Sequence, residues 1–145
     1  MKIGAQMYTV RELCRTLDGL DETMKKVADI GYTTIQLSGV CSYEAEWMAQ
    51  KLKEYGLSAD ITHFDYGRIV NDTEGTIAFH DTMNCRYIGI GSNPRGVNPE
   101  GLEKMADELK DAIPKIMSSG HKFMYHKHHM EFSKFDGKNF LELLC

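Results

Sequence analysis

The stretch Lys25-Lys26-Val27-Ala28-Asp29-Ile30-Gly31-Tyr32-Thr33-Thr34-Ile35-Gln36-Leu37-Ser38-Gly39-Val40 holds the junction that decides the fold. Its first half closes a helix: Leu20, Met24, Val27 and Ala28 share one face, and Gly31 is a stop signal. Its second half alternates. Ile35 and Leu37 fall on one side and Thr34, Gln36 and Ser38 on the other, the two-residue period of a strand over residues 33–40.

The same unit repeats in both directions. Residues 3–10 predict a first strand, with Ile3, Ala5 and Met7 alternating against Gly4, Gln6 and Tyr8. After the second strand, Ser42 is placed to cap a helix that buries Ala45, Met48, Ala49, Leu52 and Tyr55 and ends at Gly56. Residues 58–64 predict a third strand, 73–84 a helix, and 86–91 a fourth strand with Ile88 and Ile90 on one face. Asn98-Pro99 gives an N-cap followed by proline in the first turn. The helix it starts runs through Leu102, Met105, Leu109, Ile113 and Ile116, with Pro114 set to kink it and Gly120 to end it. Residues 122–132 predict a fifth strand and 139–145 the start of a fifth helix. Strands alternating with helices imply right-handed βαβ crossovers and an α/β fold of about five parallel strands with four to five helices. Periodicity leaves open whether the sheet is flat or part of a barrel. No linker or second domain interrupts residues 1–145.

At 145 residues the chain is one domain's worth, and 42% hydrophobic with 26% charged residues suits a soluble globular protein. A net charge of −4 supplies no basic stripe, which argues against nucleic acid as a partner. No apolar run approaches a membrane span, and Met1-Lys2-Ile3-Gly4 enters a strand without a signal peptide's apolar segment. Cys14, Cys41, Cys85 and Cys145 have neither metal-finger nor redox-motif spacing. Scattered thiols of this kind read as reduced side chains in a cytoplasmic protein. Trp47 and the nine methionines read as packing residues. The run Gly89-Ile90-Gly91-Ser92-Asn93-Pro94-Arg95-Gly96 lacks the lysine of a P-loop and the spacing of a dinucleotide fingerprint, so it reads as a plain strand-to-helix loop with no nucleotide cofactor.

The chemistry concentrates near residue 126. Four of the six histidines lie in residues 121–129, and His126 and His128 are two apart on the predicted fifth strand. Residues i and i+2 of a strand project from one face, so both imidazoles aim at one spot. They read as an acid/base or metal-ligating pair, or else as a structural pair bonded to its neighbours. Glu131 reads equally as a base or ligand beside them and as a solvated carboxylate. His121 and His129 read as surface residues.

Four phrases carry a family resemblance: Gly4-Ala5-Gln6-Met7-Tyr8-Thr9-Val10-Arg11, Lys25 to Tyr32, Tyr125-His126-Lys127-His128-His129-Met130-Glu131-Phe132, and Phe135-Asp136-Gly137-Lys138. Together they resemble the sugar phosphate isomerase/epimerase family, whose fold is the xylose isomerase-like TIM barrel. The resemblance implies a partial (β/α)8 barrel acting on a sugar or polyol by removing a proton next to a carbonyl. It further implies a divalent metal (Mn, Zn, Mg or Co) at the C-terminal mouth, where barrel sites lie. On that basis His126, His128 and Glu131 are the catalytic candidates, and Gln6, Tyr8, Gln36 and His63 the substrate-binding ones. The alternation of the third strand leaves the direction of His63 open.

The chain departs from the family pattern in three ways. Gln36 stands where many relatives carry glutamate, and Lys127 where the fifth-strand motif has asparagine. A full barrel takes about 250 residues, so strands six to eight, with their metal and acid/base residues, are expected from elsewhere. The chain is therefore expected to form a homo-oligomer, to pair with a complementary chain, or to be a truncated form that binds without turnover.

Overall fold

The predicted rhythm produces one parallel sheet. In the computed structural model, which describes residues 3–144, its strands are β1 (Ala5–Gln6), β2 (Thr34–Leu37), β3 (Ser58–His63), β4 (Tyr87–Ile90) and β5 (Lys122–Tyr125). They pair in sequence order, β1-β2-β3-β4-β5. Met1, Lys2 and Cys145 lie outside the described residues. The helices are α1 (Leu17–Ile30), α2 (Ala45–Tyr55), α3 (Tyr66–Asn71), α4 (Thr73–Thr82), α5 (Pro99–Leu109), α6 (Ala112–Ser118) and α7 (Phe140–Leu144).

Local chemistry explains these limits. Thr16 accepts from Gly19 N to open α1, and Gly31 ends it with a φ of +108°, a left-handed turn that only glycine adopts freely. Asn98 accepts from Gly101 N at 2.7 Å to open α5, as Asn98-Pro99 predicts. Helices outnumber the expected four to five for two reasons. Asp65 and Asp72 each cap a helix, so the β3–β4 connection holds both α3 and α4. Pro114 cannot donate to the carbonyl of Lys110, and the helix breaks there into α5 and α6.

Three expected boundaries are corrected. The first strand keeps only two residues, and Met7–Leu13 coil into a 3-10 helix. There Thr9 donates to the Gln6 carbonyl and Arg11 to that of Tyr8, local bonds that compete with strand pairing. Ser42 does not cap α2; Glu44 occupies the N-cap with no side-chain bond. The fifth strand stops at Tyr125, because the following loop folds back around the Glu131 carboxylate.

Helices cover one face of the sheet. Ile35, Leu37, Ala59, Ile88 and Ile90 are buried beneath them, whereas Tyr87 and Met124 on the opposite face are exposed. The register places Gln6 beside Gln36, Gln36 beside Ile61, Ile61 beside Tyr87 and Tyr87 beside Lys122. Pairing shifts between Ile35–Ala59 and Gln36–Ile61, leaving Asp60 as an extra residue on β3. Ala59 and Thr62 consequently both turn toward the helices, and His63 falls on the open face. That bulge is why alternation alone left the direction of His63 open.

His80 of α4 is a buried polar group in the helix layer. Its Nδ1 meets the Thr76 carbonyl at 2.7 Å and its Nε2 the Thr62 hydroxyl at 2.8 Å. Burial pushes its pKa down to about 4. The folded protein thus holds a neutral imidazole that the unfolded chain protonates below its ordinary value of about 6.5. Stability from this residue is complete above that pH and lost as pH falls toward 4, by roughly 3 kcal/mol in total. Urea midpoints from pH 7.5 to 4.5 should fall for the native sequence and fall less steeply for His80→Gln. Equal slopes would contradict this assignment.

Candidate functional site

Three imidazoles gather where β3 and β5 end. His63 is the last residue of β3, and His126 follows β5, its backbone N–H donating to the Ile90 carbonyl at 3.0 Å. The rings of His63 and His126 are 4.9 Å apart between centroids, and those of His126 and His128 are 4.7 Å apart. Both contacts are edge-to-face. Gln36 extends the row at the other end, its amide nitrogen lying 2.8 Å from His63 Nε2. An amide nitrogen can only donate, so His63 Nε2 accepts and the ring proton sits on Nδ1.

Two glycines make room for this row. A Cβ on Gly89 would sit 2.6 Å from the Thr62 carbonyl oxygen, and one on Gly91 would sit 3.2 Å from His63 Nδ1. The hollow beneath the row has a volume of about 110 Å³ and is walled by Gln36, Ile61, His63, Met124 and His126 among others. Gln6 lines an adjoining hollow with Gln36 and Ile61. Burial, and then the neighbouring His126 and His128, push the pKa of His63 below its ordinary value. The row therefore keeps His63 neutral as an acceptor and donor pair.

The remaining candidates separate from the row. Tyr8 is half exposed; its ring packs under the Arg11 guanidinium at 4.3 Å and against Gly39. His129 is exposed as expected, but His121 is not a surface residue. It is buried, with the Ser119 hydroxyl 3.0 Å from its Nδ1 and Asp81 3.5 Å from its Nε2. The helix layer claims it because α6 ends just before β5 and carries residue 121 under the sheet edge.

Glu131 is neither a solvated carboxylate nor a free base. It is fully buried; Oε1 accepts from Tyr125 Oη and Oε2 from His128 N, each at 2.7 Å. Burial opposes its ionisation, but these hydrogen bonds prevail and hold its carboxyl below the usual range. Tyr125 Oη in turn accepts from Asn93 N at 3.1 Å. A chain of bonds thus runs from the β4–α5 loop through Tyr125 and Glu131 to the backbone of His128. Tyr125 and Asn93 were missed from sequence. The only available signal was that Tyr125 has the opposite strand parity to His126, and so points toward Glu131 rather than into the mouth.

The described residues do not by themselves assemble a site for the divalent ion that the resemblance implies. Among the described residues no three His, Cys, Asp or Glu side chains converge so as to hold a metal. Gln36 offers a neutral amide already turned to His63, and both oxygens of Glu131 are occupied. No helix among the described residues is long and apolar enough to cross a membrane.

No protein-family model matches the chain, and no curated protein does. Solved structures do. A sugar phosphate isomerase/epimerase from Parabacteroides distasonis is 17% identical with a TM-score of 0.78, covering 99% of this chain and 62% of its own. An AP endonuclease of family 2 from Brucella melitensis is 14% identical with a TM-score of 0.63, over 86% of this chain and 55% of its own. The probable 3-DHS dehydratase of Bacillus anthracis petrobactin synthesis is 11% identical with a TM-score of 0.61, over 88% and 53%. The chain thus spans less than two thirds of the length of each.

Glu131 should prove a positioning residue. Glu131→Ala is expected to cost about 3 kcal/mol of unfolding free energy and so lower the urea midpoint, from two lost charge-assisted hydrogen bonds. It should also shift the amide resonances of residues 126–130. An unchanged midpoint with unchanged amides would refute the role.

At these identities the likeness establishes architecture, and what it establishes is a partial xylose isomerase-like TIM barrel of five parallel strands.

Proposed function

We propose that the row Gln36–His63–His126–His128 binds a sugar or polyol and moves a proton on the carbon next to its carbonyl, as a sugar isomerase or epimerase does. The observation that carries this reading is three imidazoles in edge contact at the C-terminal mouth of a barrel sheet, where such folds place their chemistry. The three relatives named above carry out reactions of different kinds by their names, so fold alone does not choose among them. The acidic balance of −4 favours a small carbohydrate over a nucleic acid.

The residues divide the work by position. Gln36 and His63 hold substrate hydroxyls, with Gln6 extending the same polar strip. His126 or His128 accepts the proton from the carbon beside the carbonyl, and the other imidazole donates an N–H to the oxygen that becomes an enediolate. Returning the proton to the neighbouring carbon isomerises the sugar; returning it to the other face of the same carbon epimerises it. The Glu131–Tyr125 network fixes the backbone of His128 throughout.

A closed barrel has eight strands, whereas this sheet has five, with β1 and β5 at its edges and Tyr87 and Met124 bare on its inner face. We propose that further strands, from the same polypeptide or from another, close it. The alternative is a half-barrel that binds without turnover, and the unclosed edges and the occupied Glu131 carboxylate favour it for the chain alone.

Two measurements separate these readings. Ketoses and aldoses incubated with the protein in D₂O should gain deuterium at the carbon next to the carbonyl. His126→Gln and His128→Gln should each slow that exchange about 100-fold or more, and His129→Gln should leave it within about twofold, as expected of a residue outside the row. Exchange unaffected by all three substitutions would overturn the assignment; binding with no exchange would support the half-barrel. Light scattering across a size-exclusion peak should show an assembly larger than one chain, and a monodisperse, cooperatively melting monomer would remove the need for added strands.

A further inference from the structure

Cys14 and Cys41 are far apart in sequence but adjacent in the fold. Cys14 directly follows the 3-10 helix after β1, and Cys41 lies in the β2–α2 connection. The Cys41 backbone N–H donates to the Cys14 carbonyl at 2.8 Å. A direct N–H···O bond between the two residues' own peptide groups sets their backbones side by side, and disulfides form across Cα separations of roughly 4.4–6.8 Å. Both thiols are free.

The pair is asymmetric in a useful way. Cys14 is fully buried, whereas Cys41 is half-buried and lines a surface hollow of about 360 Å³ with Arg11, Glu12 and Arg15. Glu12 pairs with both arginines, so the hollow carries two guanidinium groups against one carboxylate. That balance suits an anionic, peptide-sized oxidant. Cys85 is buried, burial pushes its pKa up to about 11, and it does not line that hollow.

We propose that Cys14 and Cys41 form a reversible disulfide through exchange with a small anionic disulfide of the glutathione type. The Cys41 thiolate attacks one sulfur of the oxidant, forming a mixed disulfide and expelling one thiolate. The Cys14 thiolate then attacks Cys41 Sγ, forming the internal bond and expelling the second. Two protein thiols are oxidised, one small disulfide is reduced, and the two protons leave on the two small thiols. Burial raises the pKa of both cysteines, so the exchange gains speed as pH rises.

The bond would tie together two connections at the barrel mouth. Gly39, Val40 and Cys41 also wall a second hollow, of about 300 Å³, that reaches His63. Oxidation would therefore stiffen one side of the candidate site without touching the imidazole row.

The test is incubation of the full chain with oxidised glutathione at pH 8.5, followed by peptide mapping without reductant. The expected product joins the Cys14 and Cys41 peptides with loss of two hydrogens, melts about 5–10 °C higher, and reverts with dithiothreitol. Cys14→Ser should stop at glutathione on Cys41, and Cys41→Ser should take up none at either position. A stable glutathione adduct on the native chain, cross-links to Cys85 or Cys145 instead, or no loss of thiol would each overturn the proposal.

Discussion

In a parallel sheet whose crossover helices all lie on one side, each strand buries one set of alternate residues and bares the other. Ile35, Leu37, Ile88 and Ile90 meet the helices, while Gln36, Ile61, Tyr87 and Met124 line the open face. Everything at the candidate site inherits this parity. Gln36 can reach His63 because both lie on the bare side, and Glu131 can bind Tyr125 because Tyr125 lies on the other. The burial of hydrophobic residues thus fixes where polar ones converge, before any chemistry is chosen.

Two supports turn that parity into a defined geometry. The bulge at Asp60 rotates the end of β3 by one residue, so Thr62 binds His80 in the helix layer while His63 faces the mouth. The buried Glu131 carboxylate then holds the loop after β5, keeping His128 beside His126 after the strand itself has ended. Both are buried polar interactions, costly to leave unsatisfied. Each makes a neighbouring imidazole's position depend on the core.

Much of this frame was legible in the sequence, because it rests on local signals. Gly31, Gly56 and Asn98-Pro99 mark helix ends through backbone conformation and capping, which depend on few neighbours. The convergence of His126 and His128 was also readable from their two-residue spacing, although the strand itself ends at Tyr125. Features set by distant partners were not. The coil after Gln6, the bulge at Asp60, the burial of His121 and the capture of Glu131 by Tyr125 each depend on residues from another element. The contact of Cys14 with Cys41 belongs to the same class.

His63, His126 and His128 are proposed to act as one site. Imidazole resonances followed by NMR during titration with a ketose or polyol test it most directly. The three should move together along one saturating curve, with His129 and the buried His121 still. Movement of His129 alone, or no saturable change at the three, would contradict it.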